Sequence, residues 1–146
     1  MSKQDEAGLI LKLYELRRDP TMRQARDWFF RDFNPQSAAD VMATMFSEKS
    51  GFLRMVMSYW DMAAALVNSG AIDLELFNET NGEHKPVFAK LEPIIGALRA
   101  ELGPRFLQNL EKLIDDTPNG REELARIRER FKSIREQMAK RTATAT

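Results

Sequence analysis

The sequence predicts an all-α fold, a single-domain bundle of about seven to eight helices around one buried central helix. Three observations carry that expectation. Between residues 52 and 67 only Arg54, Ser58 and Asp61 are polar. They are spaced four and then three apart, so on a helix they form one narrow stripe on an otherwise apolar surface. A helix of that kind belongs inside a bundle, covered by its neighbours. Elsewhere apolar residues recur at three- and four-residue intervals, and no stretch alternates apolar and polar as a half-buried strand does. Proline and glycine fall between these periodic segments, as punctuation.

At 146 residues the chain is long enough to fold as one domain without a metal or disulfides. It has no cysteine, which excludes a disulfide framework and any thiolate chemistry. A membrane span needs about 20 apolar residues, more than the central run offers, and that run is broken by two charges. The first residues lack the basic-then-apolar order of a secretory signal, so the cytoplasm is expected. Formal charge is zero but uneven: residues 71–116 hold nine acids and five bases, residues 121–141 eight bases and four acids. Neutrality weighs against a dedicated nucleic-acid binder. The unevenness predicts attraction between the acidic middle and the basic end.

The first helix is expected over about 3–18, capped by Ser2, with Asp5 and Glu6 in its first turn and Arg17 and Arg18 in its last. Leu9, Leu13 and Leu16, with Ile10 and Tyr14, form its predicted buried face. Asp19 and Pro20 then stop one helix and start the next, which runs to about Phe33. Its inward residues are Met22, Ala25, Phe29 and Phe33, with Trp28 and Phe30 beside them. Arg23, Asp27 and Arg31 form an outer charge ladder. Ser37 and Asp40 read as a capping box for a helix reaching Phe46.

The central helix follows, ended by Gly70 in a left-handed cap. Asp73 caps a short helix, stapled by Ile72 and Phe77. Pro86 is expected to open a helix to about Leu102, kinked or broken for a turn at Pro93. A helix is expected at 104–115. The last helix runs over about 121–141, bearing Leu124, Ile127, Phe131, Ile134 and Met138 at heptad spacing. Flanking arginines 128, 130 and 135 would repel in a parallel pairing, which favours docking on the chain's own acidic middle. The domain is taken as residues 1–141, with 142–146 a fraying tail.

Three runs together resemble a known group. They are Tyr14-Glu15-Leu16-Arg17-Arg18-Asp19-Pro20, then Ala25-Arg26-Asp27-Trp28 through Phe33-Asn34-Pro35, then Tyr59-Trp60-Asp61-Met62-Ala63-Ala64 through Gly70-Ala71-Ile72-Asp73. They resemble small bacterial all-helical proteins of unassigned role, a domain-of-unknown-function family, over roughly residues 9–115. The resemblance implies a helical fold and a bacterial source. It supplies no catalytic residues to carry over.

Most site chemistries fail on residue supply. His84 is the single histidine, so metal sites using two are excluded, and Asn81 stands where a di-iron Glu-x-x-His motif needs its acid. Residues 73–84 miss the glycine and closing acid of an EF-hand loop. His84, between Glu83 and Lys85, reads as a solvated turn residue. The glycines form no phosphate-binding pattern, and no serine lies in a nucleophile-elbow setting. The arginines at 17, 18, 23, 26 and 31 alternate with Asp19, Asp27 and Asp32 and read as a self-paired surface. The methionines at 42–62 read as adaptable core packing.

One constellation is retained as a candidate ligand site: Arg54, Tyr59, Trp60 and Asp61, with Arg54 as an anion anchor and Trp60 as a wall. The competing reading makes the stripe the edge of the core, with Arg54 bridging to an acid on a neighbouring helix. The functional expectation is therefore a non-enzymatic interaction or scaffold module, as a homodimer or with a protein partner, with no cofactor, no metal and no catalytic residue. The alternative is a bundle that binds or transforms an anionic or amphipathic small molecule along its central helix.

Overall fold

The computed structural model describes residues 2–145. Among them the chain forms nine α-helices and no strand: α1 Lys3–Arg17, α2 Pro20–Arg31, α3 Ala38–Met45, α4 Ser50–Asn68, α5 Leu74–Thr80, α6 His84–Leu91, α7 Ile95–Leu102, α8 Gln108–Asp116 and α9 Gly120–Ala145. A 3-10 turn, Glu92–Ile94, joins α6 to α7. The break at Pro93 thus divides the single helix expected from Pro86 to Leu102 into two. The helix also starts two residues before Pro86, because a proline is tolerated throughout the first turn, where its missing N–H has no partner to lose.

Local chemistry sets most boundaries. Ser2 Oγ accepts the N–H of Asp5 at 3.1 Å while the Asp5 carboxylate accepts the N–H of Ser2 at 3.3 Å, a closed capping box. Asp19 accepts from Thr21 and Met22, both at 3.1 Å, with Pro20 as the first helical residue. At the α3 entrance the two halves of the box separate: Ser37 accepts from Asp40 N–H, and Asp40 accepts from Gln36 N–H rather than from the cap residue. Asp73 accepts from Leu76 N–H at 3.0 Å, and Ile72 and Phe77 are both buried beside it. Gly70, at φ +88°, lets the N–H groups of Gly70 and Ala71 turn back to the carbonyls of Val67 and Leu66, closing α4.

α4 is the axis of the molecule. Leu53, Val56, Met57, Tyr59, Trp60, Ala63, Ala64 and Val67 are buried along it. α2 and α8 pack on it, α3 and α5 contact it as well, and α6 contacts both α8 and α9. The core is one continuous cluster in which Phe29, Trp60, Phe77 and Phe88 are fully enclosed.

Three expectations are corrected. Of the predicted buried face of α1 only Leu13 is buried; Leu9 and Ile10 are half-buried, and Tyr14 and Leu16 are exposed. α1 lies at the edge of the bundle with α2 as its main neighbour, so one helical turn suffices to dock it. α8 begins at Gln108 rather than near 104, because Leu107 adopts a left-handed conformation, φ 53°, that ends a preceding run of turns. α9 does not stop near 141 but continues through Ala145, with Thr142 and Thr144 hydroxyls bonded back to the carbonyls of Met138 and Lys140. The tail set apart from residue 142 is thus part of the same helix as far as Ala145, and Thr146 lies outside the described residues.

The corner between α8 and α9 admits no side chain. A Cβ built on Gly120 would lie 2.1 Å from the carbonyl oxygen of Ile114. Ala is the better helix former, by roughly 1 kcal/mol, yet this contact is with backbone and has no soft side chain to displace. Gly120→Ala is expected to destabilise the chain by roughly 1–2 kcal/mol, read as a lower urea midpoint.

Candidate functional site

The four residues singled out on α4 go to different places. Arg54 is exposed, as is Ser58 one turn further on. Asp61 is half-buried and reaches across to α8: Oδ1 accepts the N–H of Leu110 at 3.0 Å, and Oδ2 accepts from Asn109 Nδ2 at 3.3 Å. Leu107, the residue before α8, offers no capping side chain. Asp61 supplies from another helix the carboxylate that a helix N-terminus binds. Asp61→Ala is expected to lower stability by about 1 kcal/mol, measured by chemical denaturation, with no change in helix content before the transition.

Tyr59 and Trp60 point into the core. Tyr59 Oη donates to the Leu13 carbonyl at 2.6 Å, pinning α1 to α4, and burial pushes its phenol up to about 12. The Tyr59 and Trp60 rings meet edge to face at 4.8 Å, and the Arg17 guanidinium lies 5.5 Å from the Trp60 ring. With Trp60 sealed and Arg54 in solvent, the two do not frame one cleft.

A polar cluster that the sequence reading missed lies beside Trp60. His84, expected in solvent, is the first residue of α6 and 0% exposed. Its ring sits between Phe77, 4.9 Å away, and Trp60, 5.7 Å away, with Nε2 3.3 Å from Asn78 Oδ1. Burial, aided by the charges of Lys85 and Arg17, pushes the imidazole down to about 3. It is neutral and walled from solvent. The signal was present in the spacing: His84, Val87, Phe88 and Leu91 fall on one helical face, and all four are buried.

Arg26 closes this region from outside. Its Nε and Nη2 donate to the two carboxylate oxygens of Glu83 at 2.8 and 2.7 Å, and Nη1 donates to the carbonyl of Arg17 at 3.0 Å. One side chain thus ties the end of α1 and the start of α6 to α2. The arginine surface reading holds for Arg31, paired with Asp27 at 3.4 Å, but Arg26 is a tertiary link.

α9 binds the body through its first half. Arg121 donates to Glu92, Glu111 and Asp115 at 2.7, 2.8 and 2.6 Å, and Arg128 to Glu92 at 2.6 Å. Burial pushes the Glu111 carboxyl up, but hydrogen bonds from Arg121 and Arg99 outweigh it and hold the carboxyl below its ordinary range. This is the attraction between acidic middle and basic end that the charge pattern predicts. Leu124 and Ile127 are buried and Phe131 half-buried. From Lys132 onward the side chains are exposed, Ile134 at 51% and Met138 at 62%, with Arg135 still donating to Asn34 Oδ1 at 3.5 Å. Beside α9 runs an open cleft of about 590 Å³, with Phe30, Pro86, Ile127, Phe131 and Ile134 along it and Asn78, Asn81, Lys85 and Glu123 at its polar end. Asn81 is buried there with its Oδ1 unpartnered.

Among the described residues no group of three His, Asp or Glu side chains is placed to hold a metal ion, and no helix is long and apolar enough to cross a membrane. No curated protein and no solved structure matches the chain. A match does exist to the family described as Domain of unknown function (DUF4760), over residues 5–117, which takes in nearly all of α1 and runs through α8 while leaving out α9. The chain belongs to that family.

Proposed function

We propose that this protein is a helical interaction module without chemistry of its own, in which α1–α8 form a support and the outer half of α9 meets a protein partner. One observation carries the reading. The heptad seam of α9 is engaged by the body at Leu124, Ile127 and Phe131 and continues in register, uncovered, at Ile134 and Met138. A helical arm of about 14 residues is marginal in water by itself, and apolar residues kept at seam positions beyond the body support a role in contact. The sealed, neutral state of the chain's one imidazole supports the non-enzymatic part of the reading. The ligand reading through Arg54, Tyr59, Trp60 and Asp61 draws less support, since Asp61 is engaged with α8 and Tyr59 with Leu13. The setting we propose is a bacterial cytoplasm, supported by the sequence resemblance and by a composition without cysteine.

Removing residues 132–146 tests the reading. The shortened chain is expected to lose only the arm's share of helical circular dichroism and to melt within a few degrees of the full chain. A shortened chain that no longer unfolds cooperatively would make the arm part of the fold and overturn the proposal.

A further inference from the structure

The interaction reading leaves open what covers the arm, and the geometry of α9 points to a second copy of this chain. We infer that the arm of one copy lies in the cleft beside α9 of the other, the two α9 helices running antiparallel about a two-fold axis between Phe131 and Ile134. This rests on the arm being an interaction element.

Spacing supports the arrangement first. The seam positions Leu124, Ile127, Phe131, Ile134 and Met138 are separated by three, four, three and four residues. The part from Ile127 to Met138 reads four, three, four outward from either end, so it is unchanged by reversal about its midpoint. An antiparallel copy therefore brings Ile134 over the partner's Phe131 and Met138 over the partner's Ile127, both of which line the cleft. The cleft follows α9 from Glu123 to Ile134, a rise of about 16 Å at 1.5 Å per residue, and the arm beyond Phe131 is long enough to fill it.

Charge selects the direction. The arm carries Lys132, Arg135, Lys140 and Arg141 against one acid, Glu136. The first turn of α9 carries Glu122 and Glu123, and Glu79 stands exposed on α5 next to Asn78, which lines the cleft. Antiparallel pairing sets Arg141 of each copy beside Glu123 of the other, which already holds Lys85 at 2.9 Å, twice over; parallel pairing sets base on base. The helix dipoles favour the same choice. Arg130 of each copy also lines the cleft, on the flank that faces the partner's basic arm, which keeps the association modest. A two-fold contact of this kind is self-complementary and closes at two copies.

Sedimentation equilibrium of the full chain is expected to show monomer and dimer exchanging in the tens of micromolar. Ile134→Asp with Met138→Asp exchanges two apolar side chains for charges on an exposed helix face. It is expected to weaken association at least about 100-fold while leaving the melting curve unchanged. Direction is read by cross-linking, which the absence of native cysteine makes clean. Glu123→Cys chains and Arg141→Cys chains, whose positions flank the seam on the same side, are expected to form a disulfide-linked pair on oxidation when mixed, and neither alone. Self-linking of Arg141→Cys chains, or a strict monomer at hundreds of micromolar, overturns the inference. A monomer whose body folds without the arm leaves the interaction reading standing; a body that fails without it removes that reading instead.

Discussion

Lowering the pH from 7 to 5 is expected to remove about 2 kcal/mol of folding stability through one side chain, His84. The sign follows from the direction of the shift. Burial holds the folded imidazole down at about 3, while in the unfolded chain it titrates near the ordinary histidine value. Between those two values the unfolded state binds a proton that the folded state refuses, so stability falls as the pH falls. The contribution is complete above roughly pH 6.5 and erodes by about 1.4 kcal/mol per unit until the folded value is reached. Few other groups titrate in the upper part of that window, because His84 is the only histidine. Carboxylates add to the loss below about pH 5. His84→Phe places a ring of similar size between Trp60 and Phe77 and carries no proton; it is expected to flatten the slope between pH 7 and 5. Urea unfolding at stepped pH measures both chains. An equally steep slope in His84→Phe would show that the imidazole is not the group responsible.

Lys90→Met is expected to cost about 3 kcal/mol. Lys90 reaches from α6 to the end of α2, where its ammonium donates to the carbonyls of Phe29 at 2.8 Å and Phe33 at 2.7 Å, with Asn34 Oδ1 at 3.3 Å. It also lies over the rings of Phe29, Phe30 and Phe131, between 5.3 and 5.6 Å from their centres. The last carbonyls of a helix have no partner within it, and a cation there also meets the negative end of the dipole. Burial works against the charge and pushes Lys90 down to about 8. Methionine removes that burden but leaves two carbonyls without a donor, and the second effect is the larger. By the same linkage argument, raising the pH from 8 toward 10.5 sheds the buried proton in the folded chain first, so Lys90 makes the protein more stable there, not less. A Lys90→Met variant that unfolds at the parent's urea midpoint would show the carbonyls are adequately served by water.

The sequence was informative wherever a helix is governed by its own ends. Ser2, Asp19, Pro20, Gly70, Asp73 and the break at Pro93 all act within a few residues, and each does in the structure what its local chemistry predicts. The heptad spacing of α9 was legible too, and so was the attraction that seats its first half. What stayed hidden depends on distant partners. Asp61 gave no sign that it would close the N-terminus of α8, because the reason lies in a turn ending at Leu107, a residue with no preference for left-handed geometry. The pairing of Arg26 with Glu83 links residues 57 apart and has no local signature. His84 was misread for a different reason: Pro86 was taken to mark the first residue of α6, which put the histidine outside the very face its spacing assigns it to.

The carboxylate that completes α8 arrives from a position 49 residues earlier in the chain. A helix of nine residues with no cap of its own has little means to nucleate. A peptide cut to residues 108–116 is therefore expected to remain a coil, since the packing of α8 on α4 is what holds its shape. On a ribosome the long central rod emerges first, so the direction of synthesis already delivers the template before the piece that needs it.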